Sequence, residues 1–110
     1  MGASKVEEFS VKDNRIARYA KAMSHPARVA ILKLLIKKQQ CICGDIVEEL
    51  PLSQSTISQH LKELKEAGLI KGDIDGAKVC YCIDEQEWLI ARNLISELFI
   101  SHEVSKAKCC

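Results

Sequence analysis

No apolar run in the chain approaches the ~20 residues that a helix needs to cross a bilayer. The opening segment, MGASKVEEFS, has no apolar core of the kind a secretion signal requires. Val6 also stands where a myristoylation motif wants Ser or Thr. A cytoplasmic protein without membrane association is therefore expected. There is no glycine-rich phosphate loop, no paired carboxylate in a recognisable setting and no Cys–His dyad, so an enzyme is not expected. Internal repeats and low-complexity stretches are missing. Net charge is nearly nil, with 16 Lys and Arg against 15 Asp and Glu giving +1, so total charge indicates no partner.

The distribution of charge says more. Eight basic residues and only Asp13 as an acid fall between Lys12 and Lys38, whereas seven basic and twelve acidic side chains follow from Gln39 onward. Such a basic segment suits a polyanion and equally suits a solvated helix face. The 110 residues make one compact domain. A chain this short buries ~60–65% of its unfolded surface, so a partner subunit would add to its stability.

The pattern along the chain predicts mainly α structure with one β-hairpin, an α+β fold. Residues 1–10 read as a flexible arm, 11–106 as the folded domain and 107–110 as a flexible tail. From Asn14, apolar residues return at Ile16, Ala17, Ala20 and Met23, a first helix broken at His25-Pro26. Pro26 opens a second helix whose Val29, Ile31, Leu32, Leu34, Leu35 and Ile36 are too many for one face, which predicts a buried central helix. Ile46, Val47 and Leu50 mark a short third helix over 44–50, stopped by Pro51. Ser53 is the N-cap of a fourth helix running to Ala67, with Ile57, Leu61 and Leu64 as its buried stripe and Gly68 as its left-handed cap. LIKGDIDGAKVCYCID then reads as strand, turn, strand, with Val79, Tyr81 and Ile83 on one face and Cys80 and Cys82 on the other. A last helix runs from Glu85 to about Lys108. Its apolar arc, from Trp88 to Val104, is wider than one domain face requires, and a dimer contact accounts for it.

Two short helices joined by a tight turn make a helix-turn-helix. The second one exposes Gln54, Ser55, Ser58, Gln59 and Lys62, with Thr56 and His60 at the margins. Gln pairs with adenine edges, Ser and Thr reach bases or phosphates, and Lys neutralises phosphate. Lys71 and Lys78 on the hairpin are placed to flank this helix over the DNA backbone. Six cysteines fall into the pairs Cys41/Cys43, Cys80/Cys82 and Cys109/Cys110. Without a secretion signal they read as thiols kept reduced for metal binding or exchange, with small buried hydrophobes as the plain alternative.

AKAMSHPARVAILKLL, LSQSTISQHLKELKEAGLI and GAKVCYCI together resemble the ArsR/SmtB family of metal-responsive winged-helix repressors, over Ala20 to Ile83. The resemblance implies a winged helix-turn-helix that dimerises through its first and last helices, binds a partly palindromic operator in double-stranded DNA, and releases it on ligand binding. It implies that Ser55, Thr56, Ser58, Gln59 and His60 supply most major-groove and nearby phosphate contacts. Arsenite sensors of the family carry Cys-x-Cys at the start of the helix before the recognition helix, and Cys41 and Cys43 match it. There, unpaired N–H groups and the helix dipole would favour thiolate. A further family cysteine three residues on is replaced by Ile46.

As(III) or Sb(III) favours three sulfurs, Cd(II) or Pb(II) three or four, and Zn(II) four S/N ligands, so two cysteines close none of these sites. Cys109 and Cys110 are the expected source of the missing ligand, and Cys80 and Cys82 are read as partly exposed strand thiols. The family's zinc and nickel site on the last helices lacks its histidines here. Asp84, Glu85 and Glu87 are acidic, but His102 stands alone, and it reads as an ordinary surface or interface residue. The expected function is a repressor induced by As(III) or Sb(III), with no organic cofactor. A Cd(II)/Pb(II) response, thiol redox or reactive-sulfur sensing, and a protein-interaction module are the alternatives.

Overall fold

The computed structural model describes residues 6–43, 50–73 and 80–102. A 3-10 turn at Val6–Glu8 leads into α1 (Val11–Ala22), α2 (Pro26–Lys38), β1 (Ile42–Cys43), α3 (Gln54–Glu66), β2 (Ile70–Asp73), β3 (Cys80–Ile83) and α4 (Glu85–Ile100). The predicted short helix over 44–50 lies outside the described residues except for Leu50, which is not helical.

Each helix starts at a side chain suited to the job. The Ser10 hydroxyl accepts the Asp13 N–H at 3.0 Å, so α1 begins at Val11, three residues before the periodicity suggested. His25 Nδ1 accepts the Ala27 N–H at 2.9 Å beside Pro26, which lacks an N–H to satisfy. Ser53 caps α3, and the Asp84 carboxylate caps α4 by accepting the Glu87 N–H at 3.2 Å. At the other end of α3, Leu69 N–H returns to the Leu64 carbonyl at 3.1 Å, and Gly68 turns through φ +89. A Cβ at Gly68 would also stand 2.9 Å from Glu87 Cγ.

The core unites Tyr19 and Ala22 of α1, Ile31, Leu32 and Leu35 of α2, Ile57, Leu61 and Leu64 of α3, and Leu69, Ile70, Tyr81 and Ala91. The second helix is thus central, but it is not buried all round. Val29 is 41% exposed and Ile36 48%. Ile31, Leu32 and Leu35 make the fully buried face, with Leu34 partly buried against it, because a helix in contact on one side buries a stripe of its surface. The last helix ends at Ile100, short of the expected Lys108. Residues 103–110, with Val104, lie outside the described part.

The sheet is antiparallel with the order β1-β3-β2, so β3 is central. Tyr81 opposes Ile42 on one side and Gly72 on the other. Gly72 sits at φ +126, and a Cβ there would run into the Cys80 carbonyl oxygen and the Tyr81 backbone. Only glycine lets β2 approach β3 so closely.

One polar cluster pins α1 to α4. Glu87 accepts a hydrogen bond from the Tyr19 hydroxyl and an ion-pair contact from Arg15 Nη2 at 3.1 Å, with Arg18 at 3.5 Å. Arg15 Nε also donates to the Tyr19 hydroxyl at 2.9 Å. The Tyr19 hydrogen bond, with Arg15 and Arg18 adding to it, holds the Glu87 carboxyl below the ordinary carboxylate value despite partial burial.

A carboxylate with a lowered folded pKa contributes stability above its ordinary pKa, and that contribution is lost as pH falls through the lowered value. The wild-type chain should therefore lose stability progressively below pH 4.5, the ordinary value for this group. Glu87→Gln should be weaker at neutral pH by roughly 1–3 kcal/mol and show a flatter acid limb in urea titrations. Parallel acid limbs for the two proteins would refute the assignment.

Candidate functional site

The polar face of α3 follows from its apolar one. Ile57, Leu61 and Leu64 are at most 2% exposed and seat the helix on the core. Gln54, Ser55, Thr56, Gln59 and Lys62 consequently face solvent, while Ser58 and His60 are half-buried. At the amino end, Ser53 Oγ accepts the Thr56 N–H at 3.3 Å, lies 2.9 Å from Thr56 Oγ1 and 3.3 Å from Ser55 Oγ. This cluster of hydroxyls at a helix N-terminus presents donors and short side chains, which allow close approach to a phosphate or a groove floor. Lys71 is exposed on β2, and Lys78 lies outside the described residues.

His60 is more deeply engaged than its sequence position suggests. Its ring lies 4.5 Å from that of His25, and its Nδ1 accepts Arg28 Nε at 3.2 Å. Partial burial, with His25 and Arg28 alongside, lowers its pKa, which favours the neutral ring that this hydrogen bond requires. Arg28 Nη1 in turn donates to the carbonyls of Lys21 at 3.3 Å and Ala22 at 3.2 Å. One guanidinium thus ties the end of α1 to α2 and to the presented helix. Sequence reasoning missed Arg28; its only signal was membership of the basic segment, which is silent about a clamp.

The cysteines show the largest difference between expectation and structure. Cys41-Ile42-Cys43 is extended. Ile42 and Cys43 form β1, an edge strand paired with β3, with Cys41 just before it. The alternation of a strand sends Ile42 toward the core, where it packs against the buried cluster, and both cysteines to the other face. The register places Cys43 against Cys80, with Cα atoms 4.0 Å apart, and Cys41 against Cys82, 4.2 Å apart; both pairs are disulfide-bonded. Cys80 and Cys82, read from the sequence as partly exposed strand thiols, are therefore the partners of Cys43 and Cys41. The helix over 44–50, on which the argument for a lowered thiol pKa rests, lies outside the described residues except for Leu50.

On the other side of β3 the register sets Lys71 opposite Cys82 and Asp73 opposite Cys80. Cys41, Cys82 and Lys71 line an open groove of ≈ 1090 Å³ together with Ile36, Trp88 and Leu89. Among the described residues no group of three or more metal-ligating side chains stands open, since these four sulfurs are joined in pairs. Cys109 and Cys110 lie outside the described residues. Of the acids considered for a last-helix metal site, Asp84 is the α4 cap and Glu87 belongs to the tyrosine–arginine cluster; His102 is exposed beyond α4. No described helix is long and apolar enough to cross a membrane.

Comparison with known proteins places these features among regulators. A family model described as bacterial regulatory protein, arsR family, matches residues 25–71. An uncharacterized HTH-type transcriptional regulator of Methanocaldococcus jannaschii is 38% identical over 89 residues, covering 79% of this chain and 98% of that protein. The HTH-type transcriptional repressor SmtB of Mycobacterium tuberculosis is 39% identical over 61 residues, 56% of this chain, which spans 44% of that repressor. The crystal structure of M. tuberculosis Rv0081 superposes with a TM-score of 0.53 at 27% identity, covering 77% of this chain and 89% of the other.

The strand register makes a direct prediction. Tryptic digestion of air-oxidised protein, without reduction, should join the peptide 39–62 to the peptide 79–92, and reduction should separate them. Linkage within 39–62, or none between the two peptides, would contradict the register.

Proposed function

The chain belongs to the ArsR/SmtB family of winged helix-turn-helix transcriptional regulators, and on that footing we propose that it is a homodimeric repressor released from its operator by a thiophilic ion, As(III) or Sb(III) before others, at Cys41 and Cys43. The family consists of DNA-binding regulators, not enzymes. The observation that carries the DNA reading is α3 itself. Its buried stripe fixes one face on the core and leaves Gln54, Ser55, Thr56 and Gln59 outward behind a Ser53 cap. Gln59 and Gln54 are the candidates for base edges, Ser55 and Thr56 for phosphate or base contacts, and Lys62, Lys71 and Lys78 for phosphate.

The dimer reading is supported by α1 and α4. They pack on each other within the subunit and still leave Val11, Leu98, Phe99 and Ile100 more than half exposed. A two-fold pair of recognition helices fits half-sites about 34–36 Å apart.

For the inducer, the donor chemistry fits. Once reduced, Cys41 and Cys43 offer two thiolates from exposed residues at the edge of the sheet, and thiolates select soft ions over hard ones. A bound soft ion supplies affinity for sulfur and nothing catalytic. Two sulfurs leave it short of ligands, and the C-terminal pair Cys109 and Cys110 is one source of a third. Cys43 lies ten residues before the Ser53 cap, so a change of conformation at β1 has a short covalent path to α3. Release requires the ion to prefer the conformation with low operator affinity; ~2–4 kcal/mol of preference gives tens- to near thousandfold release. A second reading, thiol redox sensing, is favoured by the pairing of Cys41 with Cys82 and Cys43 with Cys80.

Two variants test this function by fluorescence anisotropy on operator DNA under reducing, anaerobic conditions. Gln59→Ala should weaken operator binding by about 1–3 kcal/mol without altering the salt slope, whereas Lys62→Ala should lower that slope by about one. Cys41→Ser should bind operator as the wild type does and no longer release it on As(III) addition. Induction that survives in Cys41→Ser would place the sensing site elsewhere.

A further inference from the structure

The sequence leaves an ion at Cys41 and Cys43 without enough ligands, and the sheet register brings two more sulfurs to the same place. The geometry points to a single four-sulfur site: reduced, Cys41, Cys43, Cys80 and Cys82 together hold a soft thiophilic cation on the outer face of the sheet. The inference deepens the metal-responsive reading above and rests on it for its biological use.

Three observations carry it. First, cross-strand Cα distances of 4.0 and 4.2 Å put Cys80 beside Cys43 and Cys82 beside Cys41. The two rows are neighbours along the strands, ~6.5–7 Å apart at the backbone, within reach of flexible cysteine side chains leaning together. Second, the opposite faces of the same strands are committed to the core: Tyr81 is 1% exposed, and Ile42 and Ile83 pack against the buried cluster. The outward direction of all four sulfurs is therefore fixed, since a one-residue slip would expose Tyr81 and bury the cysteines. Third, the patch is open to solvent: Cys41 and Cys43 are exposed, and Cys41 and Cys82 line the groove. Lys71, opposite Cys82, supplies a positive charge that stabilises thiolate there.

The disulfide-bonded form must first be reduced. A dithiol reductant gives up two electrons and two protons to each disulfide, leaving two cysteine thiols and its own disulfide. Four thiols and a divalent cation then form four metal–sulfur bonds with release of four protons. Three thiols and arsenous acid form three arsenic–sulfur bonds with release of three waters, which leaves one cysteine over. The site thus distinguishes the two ions by the number of sulfurs each retains.

The test uses the full chain, reduced and anaerobic, with Cd(II) alone as probe. The sulfur-to-cadmium charge-transfer absorbance scales with the number of thiolates bound. The wild type should show four thiolates per ion and one ion per subunit. A Cys80→Ser, Cys82→Ser double variant should fall to about half that absorbance per ion. It should also lose more than about 100-fold in affinity, beyond the ~10–100-fold of an outer-shell change. With Cys80 and Cys82 supplying the third and fourth sulfurs in place of the C-terminal pair considered above, a Cys109→Ser, Cys110→Ser double variant should bind Cd(II) with four thiolates, and a fall to three or two would return the missing ligands to the C-terminal pair. Thermal melts of the metal-free proteins separate loss of ligands from loss of fold, and an unfolded Cys80→Ser, Cys82→Ser variant would be replaced by Cys80→Ala and Cys82→Ala tested singly, each expected to leave three thiolates.

Wild-type absorbance in the wing-strand variant, or loss of absorbance in the C-terminal variant, would overturn the assignment. Operator release is scored separately. Release by Cd(II) or As(III) with only two thiolates bound sinks the four-sulfur site and leaves the repressor reading standing. Four thiolates bound without release does the reverse.

Discussion

Strand β3 has a neighbour on each side, and its register against both decides where the remaining functional groups fall. Tyr81 faces inward, opposite Ile42 and Gly72. Because side chains alternate with a period of two, Cys80 and Cys82 must then face outward. The same rule sends Cys41 and Cys43 outward beside them and sets Lys71 and Asp73 at their other flank. Gly72 is part of this constraint, since a side chain there would collide with the backbone of Cys80 and Tyr81. The register also anchors α3 through β2: Leu69 and Ile70, directly after the Gly68 cap, are buried against the same core. The four sulfurs and α3, the helix proposed to face DNA, are thus connected by one small sheet.

In the proposed function, that connection is the route from a ligand on the sulfurs to DNA. The presented helix is held by its apolar stripe, by the Ser53 cap at its start and by Arg28, which reaches His60 from α2. None of these is a deep salt bridge; they are ordinary packing and a few hydrogen bonds, each of modest net worth. A helix held in this way can be reoriented by a few kcal/mol, the range a ligand with unequal affinity for two conformations supplies. By contrast, α1 and α4 are joined by a network of Tyr19, Arg15, Arg18 and Glu87, a stiffer base for the subunit.

Much of the fold is legible in local sequence because its boundaries are set by local chemistry. Pro26 marks a helix start by its fixed φ and missing N–H, Ser53 and Gly68 mark helix ends through short-range hydrogen bonds and a left-handed turn, and Ile57, Leu61 and Leu64 declare their face by spacing alone. The outward direction of Cys80 and Cys82 is legible for the same reason. What could not be read is the pairing of Cys41 with Cys82 and of Cys43 with Cys80, 41 and 37 residues apart in sequence. A two-residue strand has no periodicity of its own. Cys41-Ile42-Cys43 is extended because β3 offers it hydrogen bonds, whereas a local reading sees only that it precedes the helix expected over 44–50. The Arg28 clamp was hidden likewise, because it depends on α1 and α3 meeting at α2. Val29 and Ile36 misled in the opposite sense, as apolar residues on a face that the core does not cover.

In the proposed function, the state of the sheet-face sulfurs sets the affinity of α3 for DNA. It is tested most directly by measuring the operator affinity of one anaerobic preparation twice, with its thiols reduced and ion-free and then after saturation with As(III). The reduced protein should bind tightly and with strong salt dependence, and binding should weaken at least about tenfold once the ion is bound, equivalent to about 1.4 kcal/mol. Equal affinity in the two states, with the ion demonstrably on the cysteines, would contradict it.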